Sequence, residues 1–409
     1  MCPTAEAGSA GDVRLWHNVV ATPSLSIVVN AEGCRVPTFI IRNARQTDLR
    51  VDEYEFVHWI AGVANTKAHE LCNHVCCYSC LATGHRIVVK TIPWQEDEDE
   101  VSTVSLLLNS LQQAIVPARV VHRARKPFRN KALAASATVK VTQDVSSAWF
   151  TCVIMPYVGP TLHRVAFDLR PIVKGAYPDG ALRAHMRARM VEWLTTVQSI
   201  VASVAGCCLD LERAGLCYVD LKKTNVLVAC EGDDARSSRR VQLCDYGALT
   251  RVNAGDACAT YPPPENPTGL GIVASPAVVA YGLGVLFYCL LFPKEEKHFQ
   301  YVDVRTTPQP EEHGKRIVAY QQFAIHRLRR VENFLSLQPW DEPAPPPPSF
   351  NGLSNLMESS FAQAHTVESW LEEFRALDAV YIYSVLSHYL EVRERDSSAY
   401  FCIRKHPGF

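Results

Sequence analysis

The chain shows no excess charge of either sign: 41 basic and 42 acidic residues over 409 positions leave a formal net charge of −1. That balance excludes the broad basic face with which proteins grip nucleic acid or anionic membrane, so neither is expected as a direct partner. Long apolar runs are missing as well. The longest, Val278 to Phe292, is short for a membrane span and contains Gly282 and Gly284, so it predicts a buried helix. Met1 to Glu6 lack a basic stretch leading into an apolar one, so no secretory signal is expected. No repeat period is visible, which sets aside solenoids and propellers. Cysteine is not scarce. Fifteen in a chain without a secretory signal predict reduced thiols in an intracellular compartment. With 48% hydrophobic and 20% charged residues the composition is that of a soluble globular protein. The length suffices for one two-lobed domain or two ordinary ones.

What the chain does carry is a set of polar residues at fixed offsets. Between Leu216 and Val228 stand Asp220, Lys222 two residues on and Asn225 five residues on, ahead of the β-type run Val226, Leu227, Val228. A carboxylate, an ammonium and an amide on one short loop suit proton acceptance, charge neutralisation and metal ligation. Downstream, Val241 to Cys244 reads as a short strand that delivers Asp245-Tyr246-Gly247, and Tyr261-Pro262-Pro263-Pro264-Glu265 follows. Upstream, a turn at Thr83-Gly84 leads into a β-rich strand with Lys90 near its end. Each alone fits a surface turn or a solvated strand end. Their order along the chain argues against coincidence.

In that order the motifs resemble those of protein kinases: the catalytic loop H-R-D-L-x-x-x-x-N, then Asp-Phe-Gly, then Ala-Pro-Glu. The resemblance covers about residues 52–409 and implies an α+β, bilobal kinase fold. A β-rich N-lobe is expected over 52–158 and a mainly helical C-lobe over 159–409, with 1–51 an N-terminal extension. ATP and Mg2+ are the implied cofactors and proteins the implied substrates. Asp220 would accept the proton of the attacking hydroxyl, and Lys222 would stand by the transferred phosphoryl group. Asn225 and Asp245 would ligate magnesium. Lys90 would hold the nucleotide phosphates, paired with Glu100 from the acidic run Glu96 to Glu100 at a helix start. Val75 would cover the nucleotide and Met155 would be the gatekeeper. The backbone of Pro156, Tyr157 and Val158 would face the adenine, Pro156 offering only its carbonyl. Arg187 to Arg213 reads as the helix leading into the loop, and Ala277 to Leu291 as the buried central helix of the large lobe. Arg395 would pair with Glu265. Lys222 points to Ser/Thr rather than Tyr substrates.

Three departures narrow the picture. Ala68, Glu70 and Asn73 stand where G-x-G-x-x-G has its glycines, so backbone approach to the phosphates is compromised. A Glu70 carboxylate held about 4 Å from a phosphate charge would cost about 4 kcal/mol at an effective dielectric near 20. Val219 replaces the Arg before the catalytic Asp, so a phosphate on the segment 246–265 has no Arg there to order against. Constitutive geometry follows. Val279 replaces the central-helix Asp that normally holds the loop backbone. Val219, Met155-Pro156, Asp245-Tyr246-Gly247 and Pro263-Pro264-Glu265 together are similar to herpesvirus-encoded Ser/Thr kinases, which implies a host nuclear, cytoplasmic or virion-associated enzyme.

Two other readings compete. A pseudokinase scaffold would keep the fold, bind nucleotide poorly and act through protein partners. A zinc site would draw on Cys72, Cys76, Cys77 and Cys80 with His69 and His74. On a strand, however, Cys76 and Cys80 face one way and Cys77 the other, so they would not converge. Two further stretches carry no assigned chemistry. The basic run from Val120 to Lys131 reads as a solvated loop, with a nuclear-import or acidic-partner patch as its alternative, and Pro343 to Pro348 as a spacer, with an SH3-type ligand as its alternative.

Overall fold

Seven described strands come first along this chain, and helices with four short strands among them come after, an α+β arrangement. The computed structural model describes residues 21–29, 35–43, 51–61, 75–93, 111, 114–116, 119–125, 149–169, 180–230, 239–302, 309–336 and 352–388. They divide into two compact units with the break between Gly159 and Pro160.

The first unit is built on one antiparallel sheet. Its strands are β1 (Ala21–Val29), β2 (Arg35–Asn43), β3 (Val51–Ala61), β4 (Val75–Cys80), β5 (Arg86–Pro93), β6 (Arg119–Arg125) and β7 (Trp149–Pro156), in the order β1-β2-β3-β4-β5-β7-β6. Strands β4 and β5 are apolar without alternation, and both faces are covered. Cys76, Cys77, Tyr78, Ile87, Val88 and Val89 are all buried. Gly84 turns the chain between them with φ +69°, a left-handed backbone that favours glycine. Within the stretch 1–51, residues 21–29 pair with 35–43, and 35–43 in turn with β3. One reading changes here. The basic stretch read as a solvated loop is a strand over Arg119–Arg125 paired with β7, with an irregularity in register between Val121 and Arg123.

The second unit packs helices around a nearly all-apolar one. It contains α1 (Leu162–Leu169), α2 (Gly180–Arg213), α3 (Pro276–Leu291), α4 (Pro310–Ser336), α5 (Leu353–Phe361), α6 (Val367–Arg375) and a helix over 379–388. Short strands β8 (Leu216–Tyr218), β9 (Val226–Cys230), β10 (Arg239–Leu243) and β11 (Leu249–Arg251) form two antiparallel pairs, β9 with β10 and β8 with β11. Ser275 caps α3 by accepting from the Val278 N–H at 3.3 Å, and Pro276 opens it. Every residue of α3 from Val278 to Leu291 is buried, as expected of a helix apolar on all sides. Around it Phe287 meets Phe374 edge-on with ring centroids 4.8 Å apart, and Trp370 stacks on Phe374. Helix α2 is long and apolar enough over Ala184–Arg213 to cross a membrane by length and composition. Here Met190, Trp193, Leu194, Val197, Val201, Val204 and Leu211 form a buried stripe at helical spacing, the pattern of a core helix.

Candidate active site

The loop after β8 rests on α3. A Cβ on Gly282 would lie 3.3 Å from Leu221 Cδ1, so glycine lets the helix backbone come up under Leu221. Val279 is buried and apolar, and the loop is braced by its own side chains and by α1. Asn225 Nδ2 donates to the Asp220 carbonyl at 3.0 Å, and the Asn225 N–H donates to the Lys222 carbonyl at 3.0 Å. The His163 N–H reaches the Lys223 carbonyl, also at 3.0 Å.

Those bonds fix the Asp220 carboxylate, which is 14% exposed. Its Oδ1 accepts from the Thr260 N–H at 2.7 Å. Its Oδ2 accepts from Lys222 Nζ at 2.5 Å and from Asn225 Nδ2 at 3.3 Å. Lys222 Nζ also donates to Thr260 Oγ1 at 3.1 Å. Asp220, Lys222 and Asn225, paired in sequence only by their spacing, are thus one hydrogen-bonded group with Thr260. A carboxylate held on both oxygens cannot swing, and a carboxylate with a fixed direction is what proton acceptance from a docked hydroxyl requires.

Asp245 comes to the same region through the β9–β10 hairpin. Leu243 pairs with Val226, and the Cys244 N–H bonds the Asn225 carbonyl at 2.9 Å, so Asp245 follows directly on a residue bonded to Asn225. Its φ of 77° lies in the left-handed region that non-glycine residues seldom occupy, a strain that tends to gather at working sites. Beneath this pair lies Tyr218, fully buried, its hydroxyl donating to the Cys244 carbonyl. Burial drives the Tyr218 phenol far above its usual range, and the negative groups at Cys244, Asp245 and Asp220 push the same way, so it remains a neutral donor.

The donor set suits a hard cation. The Asn225 amide nitrogen is committed to Asp220, which leaves its carbonyl oxygen to serve as a ligand, and amide and carboxylate oxygens suit magnesium, calcium or manganese. The thiols of β4 are a different matter. Burial pushes Cys76 up to about 12 and raises Cys77, so both are protonated thiols, while Cys72, His69 and His74 lie outside the described residues. Among the described residues no group of three His, Cys, Asp or Glu side chains is arranged to hold a metal.

On the first unit Val75 and Lys90 sit directly opposite each other across β4 and β5, and Met155 is buried opposite Val88. The Tyr157 N–H is spent on the Arg86 carbonyl at 3.1 Å, and the Arg86 guanidinium lies 5.8 Å from the Tyr157 ring centre. With Pro156 lacking an N–H, Val158 is the residue of the three whose N–H is left to offer. Glu100, Ala68, Glu70, Asn73 and Arg395 lie outside the described residues. Glu265, the expected partner of Arg395, is exposed and accepts from Gln363 Nε2 at 2.5 Å.

Four residues of this region carry roles that spacing did not reveal. Tyr218 stands where the resembling motif has His, and Thr260 lies 40 positions beyond the carboxylate it clamps. Lys223, next to Lys222, has a side chain only 8% exposed and ion-paired to Glu296 at 2.6 Å. Tyr261 is buried with its hydroxyl on Glu296. The signal available for these was slight: polar residues between two buried aromatics and a proline run.

Over part of its length the chain is similar to proteins named as kinases. It is similar to the rat, human and mouse proteins named serine/threonine-protein kinase SBK2. The rat protein is 37% identical over 105 residues, 23% of this chain and 27% of the relative. The human protein is 32% identical over 142 residues, 32% of this chain and 36% of the relative. The mouse protein is 36% identical over 104 residues, again 23% and 27%. The chain therefore spans between 27% and 36% of the length of these curated relatives. No protein-family model matches the chain. This distant similarity supports a kinase-like function.

Proposed function

We propose that the chain is a Ser/Thr protein kinase that transfers the γ-phosphoryl group of ATP to protein hydroxyls. The observation that carries the reading is the Asp220 carboxylate held at once by Lys222, Asn225 and Thr260. Asp220 takes the proton of the substrate hydroxyl as its oxygen attacks, and Lys222 places a positive charge beside the transferred phosphoryl group, where negative charge develops. Asn225 and Asp245 are the residues to hold magnesium, which when bound with ATP supplies charge neutralisation at the phosphates. Lys90 and Val75 are the nucleotide residues of the first unit, with Glu100 as the partner of Lys90. Met155, Tyr157 and Val158 border the adenine. In this reading residues 52–158 are the small lobe and 159–409 the large lobe of a bilobal kinase fold, with 1–51 preceding them. A herpesvirus-like identity and a nuclear, cytoplasmic or virion-associated location rest on the short motifs around Val219, Met155 and Asp245, while the matching relatives are mammalian.

A scaffold without catalysis has one specific feature in its favour: Ala68, Glu70 and Asn73 where glycines would cradle the phosphates. Labelled-phosphate transfer from ATP to a mixed Ser/Thr protein substrate separates the two. The kinase reading expects incorporation by the natural chain that Asp220→Asn lowers by about 10²- to 10⁴-fold, with label on Ser and Thr only. Equal background from both chains would leave the scaffold.

A further inference from the structure

Lys223 directly follows the candidate phosphoryl lysine, yet it turns away from solvent, and a buried ammonium is costly unless it is paired. Its partner, Glu296, lies on the 3-10 turn Pro293–His298 that follows α3. One Glu296 oxygen takes the Lys223 ammonium at 2.6 Å and the other takes the Tyr261 hydroxyl. Tyr261 is the neighbour of Thr260, whose N–H and hydroxyl return to Asp220 and Lys222 at 2.7 and 3.1 Å. The contacts therefore close a ring that leaves the loop at Lys223, crosses Glu296 and comes back through Tyr261 and Thr260 to Asp220.

Further bonds fasten the same segment. The Pro262 carbonyl accepts from Tyr281 at 3.0 Å, and the Thr260 carbonyl accepts from the Tyr301 N–H at 2.9 Å. Neither hydroxyl of the pair is idle: Thr260 Oγ1 receives Lys222 and Tyr261 donates to Glu296. Val219, buried with its N–H on the Ala248 carbonyl at 3.1 Å, offers no cation to a phosphate on this segment.

We propose that Lys223 is a positioning residue that keeps the 259–262 segment, and through it Asp220, in working geometry without segment phosphorylation. This rests on the kinase reading of the Asp220 site. Replacing Lys223 by Met leaves Glu296 with Tyr261 alone and loosens the ring, whereas Arg preserves the charge pair.

Hydrogen exchange and steady-state kinetics on the full chain test it together. Lys223→Met should speed exchange of the amides in 257–261 by about tenfold or more while Pro276–Leu291 keeps its protection. It should lower kcat by about 10- to 100-fold with the KM for ATP unchanged. Lys223→Arg should restore most of both, and phosphatase treatment of the natural chain should leave its rate as it was. Tyr261→Phe cuts the ring at its other end and serves if the Met variant does not fold. It should loosen the same amides. Unchanged exchange at 257–261 in the folded variants, or a natural chain that phosphatase silences, would overturn the proposal. A natural chain that transfers no phosphate sinks the kinase reading, and the exchange pattern then still decides whether Lys223 holds the segment.

Discussion

At the scale of single residues, the site is a carboxylate with no freedom left. Asp220 uses both oxygens, one on the Thr260 backbone and one on Lys222 with Asn225, so its direction is set by groups drawn from two separate stretches of chain. Thr260 is the informative position because its backbone bond to Asp220 survives replacement by valine, whereas its hydroxyl bond to Lys222 does not. Thr260→Val should lower kcat by about tenfold through Lys222, and Thr260→Ser should retain nearly the natural rate. A Val variant with full activity would show that Lys222 needs no second partner. Asp220, Lys222 and Asn225 were legible in the sequence because they share six residues of one loop. Thr260 and Glu296 were not, since each reaches the loop from an element whose placement no local spacing encodes.

At the scale of elements, α3 carries the arrangement. It supports the loop on one side, where Gly282 admits Leu221, and α5 on another, where Gly284 admits Ser360. A Cβ on Gly284 would lie 2.4 Å from Ser360 Cβ, and Ser360 has nowhere to go. Its hydroxyl receives the Trp370 indole N–H at 2.9 Å and donates to the Leu356 carbonyl at 2.5 Å. Gly284→Ala should therefore destabilise the chain by about 1–3 kcal/mol despite alanine's better helix propensity. The check is a lowered urea midpoint at unchanged slope. Gly282→Ala meets Leu221 no closer than 3.3 Å and should cost less stability. A neutral Gly284→Ala would mean that α3 and α5 do not approach this closely. The helix itself was readable as the one long apolar run, and the β9–β10 hairpin as two β-type runs around a polar stretch. The outermost strands were not. Residues 21–29 carry Thr22, Pro23, Ser24 and Ser26, a polar content that pairing with β2 overrides. Arg119–Arg125 hides its strand character behind three arginines.

At the scale of the whole molecule, strands gather before Gly159 and helices after Pro160, and the residues proposed for the nucleotide and its metal are divided between the two units. Lys90 and Val75 belong to the first, Asp220, Asn225 and Asp245 to the second. The unsettled matter is whether a chain with Ala68, Glu70 and Asn73 in place of glycines holds Mg·ATP at all. Thermal unfolding with rising ATP, with and without magnesium, asks this directly, because a ligand that binds only the folded state raises its stability by about 2.7 kcal/mol at 100 times its Kd. The account predicts an upward shift that needs magnesium, is lost in Asp245→Asn and is reduced in Lys90→Met. Identical unfolding temperatures with and without Mg·ATP, up to millimolar nucleotide, would contradict it.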